Sequence, residues 1–274
     1  MNNEKSIFFK LTGVRVRSIE EITSGFSNLN YKINDSYVLR LPPNYRDPTL
    51  NYSQEKAVYE SIEKLNISEK ITYFNSTTGI KISRFVHNAR PYAAYPTKSE
   101  IIFVSKALKK LHSAKLSVKQ NYDYFHKLET YKKDLSSQMI IDDKVEEKIL
   151  NNFRKKYNGE NLVLCHNDLV RNNLLFKYNG VVLIDWEYAS MNSIYFDLAS
   201  FVSENNLKSE DEVFFLSKYF GYQYTKTKKN IVDIYIKAQD LLFYYWAENM
   251  FIKKGDDIYL TIAEDKYRRL FRPS

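Results

Sequence analysis

Three oxygen-bearing side chains within one short segment have the types and spacing that phosphoryl transfer requires. Asp168 precedes Asn173 by five residues, and Asp185 follows in the same segment. A transferred phosphoryl group needs a carboxylate that orients the attacking hydroxyl and accepts its proton. It also needs Mg²⁺, which prefers carboxylate and amide oxygens together with substrate phosphates. Asp168 is therefore the candidate base, and Asn173 and Asp185 are the candidate metal ligands.

A predicted hairpin brings these side chains together. Asn179-Gly180 lies between the apolar runs Leu174–Phe176 and Val181–Ile184, and this dipeptide is a strong signal for a tight β-hairpin. Counting outward from a turn at these two residues pairs Leu174 with Asp185. Asn173 and Asp185 should then lie at the same open end of the hairpin, with Asp168 in the loop that enters it.

The first 85 residues are predicted to be rich in strands. β-branched and aromatic residues alternate between turn signals, and one segment has helical apolar spacing. The predicted order is three strands, a helix and two strands: Val14–Ile22, Leu29–Ile33, Tyr37–Leu41, the helix Ser53–Leu65, Ile71–Phe74 and Ile80–Phe85.

The remaining residues are predicted to be mostly helical. Amphipathic spacing predicts seven helices, and Leu162–Cys165 is a short strand. The predicted helices are Ser99–His112, Tyr122–Leu135, Asp143–Tyr157, Asp197–Asn205, Asp211–Phe220, Asn230–Phe251 and Tyr259–Leu270. This order indicates an α+β fold with lobes at 1–86 and 87–274. They are joined by a hinge, because no Pro/Gly-rich linker separates them.

The composition limits the compartments and the binding partners that the chain can have. The net charge is +8, but the basic residues are spread along the sequence and the clusters are short, such as Arg154-Lys155-Lys156. This pattern favours a solvated surface over a nucleic-acid site. The single cysteine, Cys165, suits a reducing compartment. With no apolar run of about 18 residues, we expect a cytoplasmic protein with no membrane or nucleic-acid partner.

Two segments resemble motifs of the choline/ethanolamine kinases and their aminoglycoside phosphotransferase relatives, most closely the bacterial Lic-type choline kinases. Cys165–Val170 with Asn173 is similar to the catalytic loop of that family, and Leu183–Ala189 followed by Asp197–Ala199 is similar to its metal-binding segment. The resemblance implies a protein-kinase-like fold. Its N-lobe would be a small antiparallel sheet with one main helix, and its C-lobe larger and mostly helical. It also implies ATP-dependent phosphorylation of choline to phosphocholine.

The resemblance also assigns residues to the nucleotide and the metal. Ser24–Tyr31 is similar to a nucleotide loop, Arg40 takes the place of the strand lysine of protein kinases with Glu55 as its ion-pair partner, and Ile82–Val86 fits the interlobe hinge at adenine. Glu187 would assist Asn173 and Asp185 at the metal. The residues assigned to the nucleotide are Ser27, Asn28, Arg40, Glu55, Arg84, Phe85 and Val86.

The acceptor pocket is assigned by the same resemblance. A quaternary ammonium is held best over aromatic faces with an acid nearby. Glu204 matches the family acid, while Phe243 and Trp246 occupy the places of two tryptophans, so the first tryptophan is replaced. A further aromatic is Tyr259, although alignment on Lys266-Tyr267 puts Ile262 there instead.

Other acceptors and other classes of protein stay open at this point. Ethanolamine, thiamine or an aminoglycoside could replace choline, and the chain could also be a non-catalytic nucleotide-binding module or a basic nucleic-acid binder. Within the kinase interpretation, Asp197 should either cap its helix or brace the catalytic loop. His166 should hold that loop by hydrogen bonds.

Overall fold

The computed structural model describes residues 2–23, 28–42, 47–91, 96–133, 135, 141–157 and 161–271. A strand-rich first part is followed by a helical second part, as predicted. The strands are β1 (Ile19–Ile22), β2 (Leu29–Ile33), β3 (Tyr37–Leu41), β4 (Ile71–Phe74), β5 (Lys81–Arg84), β6 (Arg90–Pro91), β7 (Val163–Cys165), β8 (Leu174–Lys177), β9 (Gly180–Leu183) and β10 (Ser190–Asn192). The helices are α1 (Asn2–Thr12), α2 (Tyr52–Ile62), α3 (Lys98–Ser113), α4 (Tyr124–Lys132), α5 (Asp143–Arg154), α6 (Ile194–Glu204), α7 (Ser209–Phe220), α8 (Lys226–Lys254) and α9 (Ile258–Leu270).

The first part is a five-stranded antiparallel sheet in the order β1-β2-β3-β5-β4. Alternate residues point to one face, so Tyr31, Ile33 and Leu39 form a small core with Ile82. Phe8 of α1 completes that core. The sequence analysis missed α1 and started the first strand too early. A helix this short is marginally stable alone in water, so α1 depends on the packing of Phe8 against the sheet. Local helix propensity does not predict that contact.

The second part is organised around α8, which packs against α4, α5, α6 and α9. Its buried aromatic residues, including Tyr235, Tyr244 and Tyr245, belong to one large core. The helix begins after Thr225, whose side chain accepts a hydrogen bond from Lys228 N, and it ends at Gly255, whose φ is +70°. Among the described residues, no helix is both long enough and apolar enough to span a membrane.

The register of the β8–β9 hairpin differs from the prediction. Leu174 pairs with Leu183, and Lys177 pairs with Gly180. The expected pairing of Leu174 with Asp185 is therefore wrong by two residues, because the turn is formed by Tyr178-Asn179 and Gly180 already belongs to β9. A shift of two keeps every side chain on its face of the hairpin.

Candidate active site

The predicted catalytic loop, which begins at Cys165, is held in place by one buried carboxylate. The backbone N–H groups of His166 and Asn167 donate to Asp197 at 2.9 and 2.7 Å. His112 Nε2 lies 2.9 Å from the same carboxylate. Asp197 therefore braces the loop. It does not cap α6, because Ser193 is the N-cap. The His166 ring contacts the Ile184 carbonyl oxygen through Nε2 at 3.0 Å, so His166 holds the loop as expected.

Asp168 and Asn173 are in direct contact. The Asn173 side-chain amide donates to Asp168 Oδ2 at 2.8 Å and to the Asp168 carbonyl oxygen at 2.9 Å. Burial, and then the nearby charge of Asp185, raise the pKa of Asp168 to about 7. A carboxyl group with that pKa can accept a proton near neutral pH and release it again.

Asp185 and Glu187 form an acidic pair at the end of the hairpin. Ile184 N donates to the Asn173 carbonyl oxygen at 3.0 Å, so Asp185 leaves the hairpin beside Asn173. Asp185 adopts a left-handed backbone, with φ of +64°. Glu187 is buried, and burial together with the charge of Asp185 raises its pKa. Asp185, Glu187 and Asn173 together offer two carboxylates and an amide oxygen, the ligand types that a hard divalent cation prefers.

A buried arginine of the sheet reaches toward this acidic pair. Arg40 on β3 is 2% exposed, and its guanidinium donates to both carboxylate oxygens of Glu55 at 2.6 and 2.8 Å. Its Nη1 atom is also 3.7 Å from Asp185 and 3.8 Å from Glu187. The predicted pairing of Arg40 with Glu55 is therefore present, and it places a fixed positive charge beside the candidate metal ligands.

The candidate base and three of the four predicted acceptor residues share one cleft of about 400 Å³. The cleft lies between the hairpin end and the helices α6, α8 and α9. Asn28 also lines it and donates its amide N–H to Glu187 at 3.0 Å. The predicted site residues that line this cleft are Asn28, Asp168, Asn173, Asp185, Glu204, Phe243 and Trp246.

Tyr259 does not occupy the predicted position. It is 2% exposed and lies behind Trp246, with the two ring centres 5.6 Å apart. Ile262, one helical turn further along α9, lines the cleft instead. The described lining of the cleft therefore favours the alternative alignment, which puts Ile262 there, over the assignment of Tyr259.

The sequence analysis missed the role of Lys266, which it used only as an alignment marker. Lys266 lines the cleft and its ammonium contacts the Glu204 carboxylate. Burial raises the pKa of Glu204, but Lys266 and Arg269 outweigh that effect and hold it below its ordinary value. Only the fold could reveal this contact, because Glu204 and Lys266 are 62 residues apart in sequence.

The remaining nucleotide assignments stay predictions. Ser27 lies outside the described residues. Arg84 is the last residue of β5, Phe85 and Val86 follow it, and the described residues that line the cleft do not include them. The Arg84 guanidinium lies 4.4 Å from the centre of the Tyr37 ring.

The fold and the site together define a class of protein: a phosphotransferase with a protein-kinase-like, two-lobed α+β fold. The sequence profile of the choline/ethanolamine kinase family matches residues 19–257, and the chain belongs to that family. It is therefore an enzyme, a small-molecule kinase that uses ATP.

Individual relatives and solved structures are similar to this chain. The protein LicA of Haemophilus influenzae is 23% identical over 240 residues, which cover 82% of this chain and 71% of the relative. The crystal structure of choline kinase LicA from Streptococcus pneumoniae superposes with a TM-score of 0.82 at 23% identity, covering 98% and 99% of the two chains. An ADP-bound aminoglycoside phosphotransferase has a TM-score of 0.62 at 16% identity, covering 95% of this chain and 96% of that one. These structures share the fold of this chain.

Proposed function

We propose that this enzyme transfers the γ-phosphoryl group of ATP to the hydroxyl of choline, giving phosphocholine and ADP. The observation that supports choline is the cleft itself, in which the candidate base Asp168 shares one cavity with the aromatic faces of Phe243 and Trp246. A trimethylammonium group is large and weakly hydrated and cannot donate hydrogen bonds, so ring faces suit it best. The solved relative from Streptococcus pneumoniae is itself named a choline kinase.

ATP would bind between the lobes 1–86 and 87–274. Arg40 is the residue we assign to the phosphates, because its charge lies within 4 Å of both acidic side chains at the hairpin end. Asn28, with Ser27 next to it in sequence, would contribute hydrogen bonds to the phosphates. Arg84, Phe85 and Val86 would meet the adenine ring.

The donor set at the hairpin end fits Mg²⁺. Asn173 and Asp185 would hold the ion, with Glu187 as a third oxygen ligand directly or through water. Burial and the charge of Asp185 raise the pKa of Glu187 even though Arg40 lies nearby, so a bound cation would favour the ionised form of this pair. When bound, the ion neutralises charge that develops on the phosphate oxygens.

Asp168 would orient the acceptor hydroxyl for in-line attack. The choline oxygen forms its bond to the γ-phosphorus while the bond to the departing ADP oxygen breaks. Asp168 takes the hydroxyl proton, and Asn173 keeps the carboxylate in position through its hydrogen bond to Oδ2. Because burial raises the pKa of Asp168 to about 7, the carboxylate is a stronger base than an exposed aspartate.

An aminoglycoside fits this cleft less well. Such an acceptor bears several amines and calls for a site rich in unpaired acids. The described residues on the acceptor side of the cleft include one acid, Glu204, and it is already paired with Lys266.

We also propose that the reaction takes place in the cytoplasm, because ATP is the donor and the buried Cys165 is a free thiol. We propose no nucleic-acid or membrane partner.

An ADP-release assay with choline, ethanolamine, thiamine and kanamycin tests this proposal. We expect choline to give the highest kcat/KM. Asp168→Asn should reduce turnover by roughly 10²–10⁴-fold while leaving the KM for ATP nearly unchanged. A higher kcat/KM for another of these acceptors would refute choline, and a mutant that keeps a tenth of the wild-type rate would remove Asp168 as the base.

A further inference from the structure

The acceptor side of the cleft contains a cation that the protein itself supplies. Lys266 on α9 is 4% exposed, and its ammonium contacts Glu204 Oε1. The same ammonium lies 5.5 Å from the centre of the Phe243 ring. Glu204, Phe243 and Lys266 all line the cleft. The carboxylate and one of the ring faces that would receive a cationic acceptor are therefore already engaged by an internal ammonium group.

Lys266 is the cation that balances most of the negative charge of Glu204. Asp240 on α8 lies 3.0 Å from Arg269 Nη2 and 3.6 Å from Lys266 Nζ. Arg269 is farther from Glu204, at 3.9 Å. If Lys266 lost its charge, Asp240 would keep its shorter ion pair with Arg269, whereas Glu204 would face the cleft with little compensation.

We propose that Lys266 is a specificity-determining residue that competes with the cationic head group of the acceptor for Glu204 and Phe243. This inference rests on the proposed function, because it takes the acceptor to bear an ammonium group. While the Glu204–Lys266 pair is intact, its charges cancel, and the cleft attracts a cation through ring faces more than through net charge. An acceptor that engages Glu204 has to displace Lys266 from it.

The test uses tetramethylammonium, a probe that has the charged head group and no hydroxyl. Its affinity is measured by titration calorimetry at pH 8, well above the ordinary glutamate pKa of about 4.3. Lys266→Met should bind the probe about tenfold more tightly than wild type, because it unmasks one carboxylate beside the bound cation. The double variant Lys266→Met with Glu204→Gln should return to within about threefold of wild type, since removing both members of the pair restores the net charge of the wild-type cleft.

A matched control separates charge in the cleft from altered helix packing. Lys237 lies on α8 and donates to the carbonyl oxygens of Arg269 and Leu270 at 2.6 and 3.0 Å. Lys237→Met therefore makes the same substitution at the same pair of helices, at a residue outside the described lining of the cleft. We expect wild-type affinity for the probe. Lys266→Gln, which can still hydrogen-bond Glu204, replaces the Met variant if that one does not fold.

The possible outcomes are distinct. Equal or weaker probe binding in a folded Lys266 variant overturns the inference, and so does the absence of probe binding in wild type and variant alike. Failure of the proposed function would look different: wild type would release no ADP with choline, while the probe would still bind more tightly to Lys266→Met.

Discussion

Substitution of Glu55 by Gln tests how much the enzyme depends on the buried anchor of Arg40. Glu55 on α2 is 1% exposed, and its two oxygens accept hydrogen bonds from Arg40 at 2.6 and 2.8 Å. Lys81 lies 3.3 Å from the same carboxylate. Gln has nearly the same shape but no charge, so the change removes the shortest ion pair of Arg40 and leaves only the longer ones to Asp185 and Glu187, at 3.7 and 3.8 Å, among the described residues.

The size of the effect follows from burial. Removing one partner of a buried ion pair costs roughly 3–5 kcal/mol, because the other charge stays uncompensated. Gln keeps one oxygen acceptor, and Lys81 keeps Glu69 at 3.5 Å. We therefore expect the lower end, about 3 kcal/mol, which lowers the melting temperature of a chain of this size by about 6–12 °C.

The assay is thermal unfolding with a control on the same helix. Glu60 pairs with Lys56 at 3.8 Å in an exposed ion pair, with side chains 67% and 44% exposed, so Glu60→Gln should change stability by less than about 0.5 kcal/mol. Glu55→Gln should also raise the KM for ATP more than the KM for choline. If the two variants melted within about 2 °C of each other, the buried pair would not stabilise the fold as argued.

Three further outcomes are expected. kcat/KM should fall about tenfold between its plateau and pH 6, because the ionised form of Asp168 is the base and its pKa is raised to about 7; a profile without an acid limb between pH 5 and 8 would contradict this. Asp185→Ala should raise the Mg²⁺ concentration needed for activity more than Asn173→Ala, because a neutral amide is the weaker ligand; an unchanged Mg²⁺ dependence in both would remove them from the metal site. Trp246→Ala should raise the KM for choline about 5- to 30-fold with little change in the KM for ATP, and Trp246→Phe should recover part of the loss; a stable alanine variant with unchanged choline KM would exclude Trp246 from the pocket.

The sequence by itself determined the class of chemistry and the order of most of the elements. Asp168, Asn173 and Asp185 fall in one segment around a hairpin, so their proximity depends on contacts between near neighbours in the chain. Strand alternation and helical spacing are also local patterns, which is why the five-stranded sheet and the long helix α8 could be predicted. The family resemblance rests on the same local motifs.

The tertiary structure alone decided the features that depend on contacts between distant segments. Helix α1 exists because Phe8 packs on the sheet, and the hairpin register depends on which residues take the turn. The choice of Ile262 over Tyr259 depends on how α9 packs against Trp246. The pairing of Lys266 with Glu204 joins α9 to α6, and no local pattern reports it. Motifs near in sequence thus specify the reacting centre, whereas helix packing sets the charge of the acceptor pocket.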